Sequence, residues 1–328
     1  MTKLVSVIVL NHNGQHYLAR CLPSIFAQDY PHVEMIVVDN GSSTEDGSVA
    51  WVKEYYPQVT LIENGENLGF CLANNIGMRK SNGDYIILLN NDTELEPGFL
   101  SAMIDAANSE TKVGMVASQI LFDHDPTHLD SAGIEVDRAS MAWNRHLGLP
   151  VSQEPTEPLD VFGPSAAAGL YKREMLDQIG LLDEDYFIYY EDVDLAWRGQ
   201  RAGWRCLYAP KARVRHIHSG TTGQWPSRKS YLMGRNKIRT MIKNYPTNAL
   251  WKNLPLIAIF EIAAIFYGLF VAHDTAPLRG RLTALTEIRT YLAKRKQLGQ
   301  TISTHPVQLA TVKKPNIAWK MHRGIPTH

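Results

Sequence analysis

The sequence predicts an α/β protein with a mostly parallel central sheet flanked by helices and a helical C-terminal extension. Three observations carry that expectation. Apolar, β-branched runs recur through the first hundred residues, helix-period segments separate them, and the runs end in asparagine, aspartate or glycine.

Leu4 to Leu10 is a nearly continuous apolar run closed by Asn11, His12, Asn13 and Gly14, the pattern of a strand buried on both faces. Tyr17, Leu18, Cys21, Leu22, Ile25 and Phe26 then fall at helical spacing, and Asp29-Tyr30-Pro31 stops the helix. A second buried strand spans Glu34 to Asp39 and runs into the polar loop Asn40-Gly41-Ser42-Ser43. Val59 to Ile62 reads as a third strand, and Tyr85 to Leu89 as a fourth that ends in Asn90-Asn91-Asp92. Between them, Asn67 to Gly77 is a loop entering a helix, rich in amides and small residues. Backbone can approach a ligand closely at Gly69, and amides at a helix start suit phosphate or sugar hydroxyls.

Ligands of such sheets bind beyond the carboxyl ends of the strands. Asn11-His12-Asn13, Asp39-Asn40 and Asn90-Asn91-Asp92 all sit at those ends. Any one of them alone would be explained by an Asx turn or a helix cap. Capping by itself accounts poorly for three. The glycines form neither a G-x-G-x-x-G fingerprint nor a Walker A loop, so a dinucleotide-binding dehydrogenase and a P-loop enzyme are unsupported.

The 328 residues, 45% of them hydrophobic, suffice for at least one substantial core, and the 33 basic and 33 acidic side chains cancel. No global field therefore draws the chain to nucleic acid. Cys21, Cys71 and Cys206 lack metal-ligand spacing and read as reduced core fillers of a cytoplasmic protein. The first residues lack the pattern of a signal peptide, so the active part is expected inside the cell.

One further stretch stands out. Phe187-Ile188-Tyr189-Tyr190 leads into Glu191-Asp192-Val193-Asp194, three carboxylates within four residues behind four large apolar or aromatic side chains. The run is either the edge of an active site or a solvated acidic helix start favoured by the helix dipole.

Together Ser6-Val7-Ile8-Val9, Val37-Val38-Asp39-Asn40-Gly41-Ser42, Asn67-Leu68-Gly69-Phe70 with Asn74-Asn75, Leu89-Asn90-Asn91-Asp92-Thr93, and Gly180 to Asp194 with Gly203-Trp204 resemble glycosyltransferase family 2. The nearest subgroup is the rhamnosyltransferase-like enzymes of surface polysaccharide synthesis. The resemblance covers about residues 4 to 245 and implies a GT-A fold, with a nucleotide-sugar-binding half over 1–122, an acceptor-binding half over 123–245 and a helical region over 246–328.

By that resemblance Asp92 matches the metal-binding position of the D-x-D motif, whose first acid is here Asn90. Mg²⁺ or Mn²⁺ would then also rely on diphosphate, water and a second side chain. His216 matches a later family histidine and is the expected ligand. His218 is the alternative, on the same strand face. Asp192 matches the general base of the E-D motif. Glu191 would bind acceptor hydroxyls or orient Asp192, and Asp194 would cap the following helix. Asp39 matches the reader of the nucleobase, with Leu10 and His12 lining its pocket. Asn11, Asn67, Gly69, Asn75, Asn90 and Asn91 complete the expected donor site. Arg235, in a Y-x-x-x-R-N element after the histidine, is expected on diphosphate or on a surface carboxylate. Trp204 would stack on an acceptor sugar or belong to the core.

Residues 123–160 read as a long polar excursion near the acceptor site. Leu254 to Ala272 is apolar except at Glu261 and approaches membrane-spanning length. With basic residues on both sides, it is expected in a membrane interface or a dimer contact rather than as a full span. The tail from Gln297 to His328 reads as weakly ordered.

The resemblance thus implies an inverting, non-processive transferase that moves one sugar, expected to be rhamnose, from a dTDP- or UDP-linked donor to a saccharide or lipid-linked acceptor at the inner face of the cell membrane. A nucleotidyltransferase of similar layout, and a membrane-attached sugar-binding protein without activity, are the competing expectations.

Overall fold

The computed structural model describes residues 2–217, 226–301 and 305–310. Its strands are β1 (Val5–Asn11), β2 (Val33–Asp39), β3 (Thr60–Glu63), β4 (Tyr85–Asn90), β5 (Thr93–Leu95), β6 (Val113–Phe122), β7 (Leu129–Ser131), β8 (Ile134–Val136), β9 (Ala142–Asn144), β10 (Leu159–Val161), β11 (Ala168–Lys172) and β12 (Arg205–His216). Between them run α1 (Gln15–Phe26), α2 (Ser48–Tyr55), α3 (Gly69–Lys80), α4 (Phe99–Asn108), α5 (Arg173–Ile179) and α6 (Glu191–Arg201). Helices α7 (Pro226–Asn244), α8 (Thr247–Phe266), α9 (Ala276–Thr286) and α10 (Ile288–Thr301) follow.

The main sheet has the order β10-β12-β6-β11-β4-β1-β2-β3, with β5 beside β12 and β7 beside β6. β4, β1, β2 and β3 are parallel; β4, β1 and β2 are the buried apolar runs and β3 is a partly exposed edge strand. β11 enters antiparallel between β4 and β6 and joins the two parts of the sheet. Register aligns the strand ends: Asn11 pairs with Asp39, and Leu10 with Asn90. The polar residues after β1, β2 and β4 therefore share one edge.

Alternate residues of each strand feed two apolar layers. Val5, Val7 and Val9 pack with Leu18 and Leu22 of α1 and with Phe99 and Met103 of α4. Ile8 and Ile36 face Cys71 and Met78 of α3, and Met175 and Trp197 of α5 and α6 lie in the same layer. Full burial of an aliphatic side chain of this size contributes about 1.5–3 kcal/mol. All three cysteines are free and buried, as core fillers.

Two expectations change here. Residues 123–160 are not a structureless excursion. They hold β7, the β8–β9 hairpin and β10, and Asp137 accepts from the amides of Ala139 and Met141 while buried Arg145 pairs with Glu154. Strands of three residues are too short for alternation to announce them. The tail is ordered at first, since α10 carries helix to Thr301 and the Ala310 amide bonds the Val136 carbonyl.

Candidate active site

At the shared strand edge, side-chain amides knit the loops together. Asn11 donates to Asp39 Oδ1 at 3.1 Å and to Ser42 Oγ at 3.2 Å, while its own oxygen accepts from Asn91 at 2.7 Å. Asp39 accepts besides from the amide and hydroxyl of Ser42. A carboxylate has about four acceptor directions, and three are used. Asn40 accepts from the Leu68 amide and from Asn64, and donates to Asn67, which in turn accepts from the Gly69 amide. His12 Nδ1 lies 3.0 Å from the Asn40 carbonyl.

Beside this network opens a cavity of about 720 Å³, within the size range of small-molecule sites. Leu10, His12, Asn67, Gly69, Asn90 and Asn91 line it. Phe187, Ile188 and Tyr189 also line it, with Arg228 and Lys229 from the first turn of α7. Gly69 explains itself locally: its φ is +82°, and a Cβ there would stand 2.4 Å from the Phe187 ring.

The aromatic wall is a strained segment. Phe187, Tyr189 and Tyr190 all have φ near +70°, a conformation that costs non-glycine residues of order 1–3 kcal/mol each. Buried Asn236 of α7 holds it, donating to the carbonyls of Tyr186, Ile188 and Tyr189. The segment delivers Glu191 and Asp192 to the first turn of α6. Asp192 is half-buried and accepts from the Val193 amide at 2.8 Å and the Ala166 amide at 3.4 Å. Burial raises its pKa against those bonds. Glu191 is buried, Oε2 has no hydrogen-bond partner, and burial followed by the charge of Asp192 lifts its carboxyl well above the usual range. Neither carboxylate borders the cavity itself. Asp194 does not cap: it is fully buried and bonded to Arg198, Lys243 and Asn244.

The antiparallel pairing of β12 with β5 sets His216 opposite Thr93 and so next to Asp92. His216 Nε2 stands 3.3 Å from Asp92 Oδ1, a buried oxygen that makes no hydrogen bond. On the other side His216 Nδ1 meets Asp130 Oδ2 at 2.5 Å. Burial would lower the imidazole pKa, but the two carboxylates outweigh it and raise it to about 10. A buried carboxylate oxygen facing an imidazole nitrogen, with the second nitrogen held by another carboxylate, fits a Mg²⁺ or Mn²⁺ site in which the cation would replace the Nε2 proton and other oxygen donors would complete the shell. Among the described residues no three His, Cys, Asp or Glu side chains form a cage on their own. Asp92 borders a small crevice with Tyr17, and Tyr17 also borders the main cavity. His218 lies outside the described residues.

Asn11 is buried in the side-chain network and off the cavity wall, and four more expected residues stand elsewhere. Asp39 is buried within the Asn11–Ser42 network and is not on the cavity wall, because the strand-end loop turns its carboxylate onto its own backbone. Asn75 clamps Leu182 and Glu184. Arg235 donates to the carbonyls of Asp185 and Tyr186, neither diphosphate-facing nor on a carboxylate. Trp204 is core, packed on Gly114 with Nε1 donating to Gln178 at 2.7 Å. Sequence reasoning missed Asp130, Lys229, Arg228 and the clamp of Asn236. Only Asn236 left a trace, inside the Y-x-x-x-R-N element. Asp130 sits in the segment read as a loop.

Comparison with known proteins gives a consistent picture. The model of glycosyl transferase family 2 matches residues 6–180. An N-acetylglucosaminyl-diphospho-decaprenol L-rhamnosyltransferase of Mycobacterium tuberculosis is 30% identical over 278 residues, which cover 78% of this chain and 89% of that protein. The O-antigen biosynthesis protein RfbC of Myxococcus xanthus is 26% identical over 234 residues, 67% of this chain but 18% of that protein. Among solved structures, the mannosyltransferase PcManGT of Pyrobaculum calidifontis, in complex with GDP-Man and Mn²⁺, superposes with a TM-score of 0.57 at 18% identity over 92% of this chain and 86% of that one. GalNAc-T7 with UDP, GalNAc and Mn²⁺ gives 0.62 at 17% identity, over 93% and 59%. The chain has the GT-A fold, is rhamnosyltransferase-like, and belongs to glycosyl transferase family 2.

Proposed function

We propose that this glycosyltransferase moves a single sugar, rhamnose, from a dTDP- or UDP-linked donor to a lipid-linked saccharide at the inner face of the cell membrane, with inversion and with a divalent metal. The single observation that carries the reading is the cavity at the ends of β1, β2 and β4, lined also by the segment that leads into Glu191-Asp192. Residues 1–122 would hold the donor, 123–245 the acceptor, and 246–328 would lie outside the chemistry.

The base would rest against Leu10 and His12, with Asp39 fixing the Asn11–Ser42 loop beneath it. Asn67, Gly69, Asn90 and Asn91 would meet ribose and phosphate. Lys229 and Arg228 take the place expected of Arg235, since both border the cavity and suit a diphosphate. Asp92 and His216 would hold Mg²⁺ or Mn²⁺, which supplies positive charge to the departing diphosphate.

Asp192 would accept the proton of the acceptor hydroxyl as that oxygen forms its bond to the anomeric carbon and the bond to the diphosphate oxygen breaks on the opposite face. Its raised pKa makes it a stronger base than an exposed aspartate. Glu191, whose carboxyl burial pushes well above the usual range, would orient it and bond acceptor hydroxyls. Trp204, being core, has no part.

The test is turnover of a panel of nucleotide sugars with lipid-linked acceptor, with Mn²⁺ or Mg²⁺ and then with chelator, beside Asp192→Asn. Consumption of one donor that needs metal and collapses in the variant is expected. No consumption of any donor, or a fully active variant, overturns the reading.

A further inference from the structure

The segment expected from its sequence to meet either a membrane or a second chain is a helix with two unlike faces. α8 continues through a π turn to Val271, and Thr247–Val271 is long and apolar enough to cross a bilayer. One stripe is fixed to the protein. Ile257 and Gly268 are buried, Gly268 against Pro277 of α9. Between them Glu261 pairs with Lys237 of α7 and Arg281 of α9. These positions are four and seven residues apart and so share one side of the helix.

On the other side Trp251, Ile259, Ile262, Phe266 and Phe270 are 59–69% exposed, a run of large apolar side chains of the kind that marks an interaction surface. Leu282, Leu285, Ile288 and Leu292 of α9 and α10 are also exposed, at spacings of three and four. The charges in the same stretch have one sign. Between 247 and 301 every exposed charged side chain is basic, namely Lys252, Arg279, Arg289 and Lys296. The acids are occupied: Glu261 as above, Glu287 by Arg239, and Asp274 by the Ala276 amide.

We propose that the outer face of α8, continued by α9 and α10, docks on the anionic lipid surface of a membrane, with the helix lying in the interface and not crossing it. A crossing helix would be surrounded by lipid and would have to break the Glu261 pairs, which costs more than leaving them in place on the protein side. Apolar side chains toward the acyl chains, Trp251 and Tyr267 as amphipathic aromatics, and lysine and arginine toward anionic headgroups are the composition of an interfacial helix. A second copy of the chain would bring these basic faces together without a compensating acid. The docking gives the proposed enzyme access to a lipid-linked acceptor and rests on that reading for its purpose only.

The test is co-sedimentation of the full chain with phosphatidylcholine vesicles, with and without phosphatidylglycerol, for wild type, Ile262→Asp with Phe270→Asp, and Arg279→Glu with Arg289→Glu. Binding to the anionic vesicles is expected, at least about tenfold weaker on pure phosphatidylcholine and in the arginine variant. The aspartate variant is expected to lose binding, with unchanged turnover of a water-soluble acceptor. Because both pairs are exposed, thermal unfolding should stay as in wild type. Absence of vesicle binding, or variants that bind as well as wild type, overturns the proposal. So does retention of the protein in carbonate-washed cell membranes, which would mean a span, or a dimer by light scattering that the aspartate variant abolishes while wild type ignores vesicles. Vesicle binding without any sugar transfer would sustain the surface and sink the catalytic reading.

Discussion

The side-chain amide of Asn236 donates to the carbonyl of Tyr189 at 2.8 Å, and the same nitrogen reaches the carbonyls of Tyr186 and Ile188 at 3.0 Å each. One buried amide of α7 thus holds three carbonyls of the segment that aims Glu191 and Asp192. Asn236→Ala removes the side-chain donor from the Ile188 and Tyr189 carbonyls, while that of Tyr186 keeps Arg235 and the Ile188 amide, at a cost of about 1–3 kcal/mol. The expected outcome is a lower unfolding midpoint together with a fall in kcat of tenfold or more, on the order of that energy, while donor KM changes little. A rise in donor KM alone would place the clamp's effect in the donor site instead.

Glu191 and Asp192 should separate by isosteric substitution. Both are raised by burial, Glu191 further by its neighbour's charge, so Asp192 gives up its proton more readily than Glu191 does. Glu191→Gln keeps the shape and a hydrogen-bonding head group in place of a carboxyl that resists ionisation, and should retain most activity. Asp192→Asn removes the base and should lose about 10²–10⁴-fold in kcat. The base acts only when deprotonated, so kcat/KM should rise with pH through an acid limb lying above the ordinary carboxylate value of about 3.9. Steady-state profiles of both variants decide this, and an acid limb that persists in Asp192→Asn would count against the assignment.

Asp130 bonds the far nitrogen of His216 and is the sort of partner that orients a metal-ligating imidazole. Asp130→Asn should weaken Mn²⁺ binding roughly 10–100-fold. Electron paramagnetic resonance titration of free Mn²⁺ with nucleoside diphosphate present reads this without turnover. Unchanged binding would leave Asp130 a purely structural residue.

Asp194 joins α6 to α7 through Arg198, Lys243 and Asn244. Burial opposes its ionisation, and the pairs with Lys243 and Arg198 outweigh it, so its pKa is lowered. Asp194→Asn leaves two buried cations short of a partner and should cost about 3–5 kcal/mol in denaturant unfolding. A lowered folded pKa contributes stability above the unfolded value of about 3.9, lost as pH falls through the folded one. Wild type should therefore lose stability more steeply below about pH 4 than the variant does.

Strand-by-strand, the sequence alone determined the parallel half of the sheet, because β1, β2 and β4 are buried on both faces and so must be continuous apolar runs. It also singled out loops that border the cavity, since asparagine and aspartate at the ends of three strands need no tertiary information to be seen. The Asp92–His216 pair was legible only through resemblance, for the two residues lie 124 positions apart and meet by the register of β12 on β5. Tertiary structure alone decided the rest. Trp204 and Arg235 were ambiguous as residue types, and each was settled by its neighbours: a packed core at Gly114 for one, backbone carbonyls for the other. Asp130 could not be found in advance because its strand has three residues, too few for a period. Glu261 looked like a flaw in a spanning helix until Lys237 and Arg281 stood beside it. Periodicity along the chain reports which face of an element is buried, whereas the partner of a buried charge comes from another element and is fixed only when the two pack.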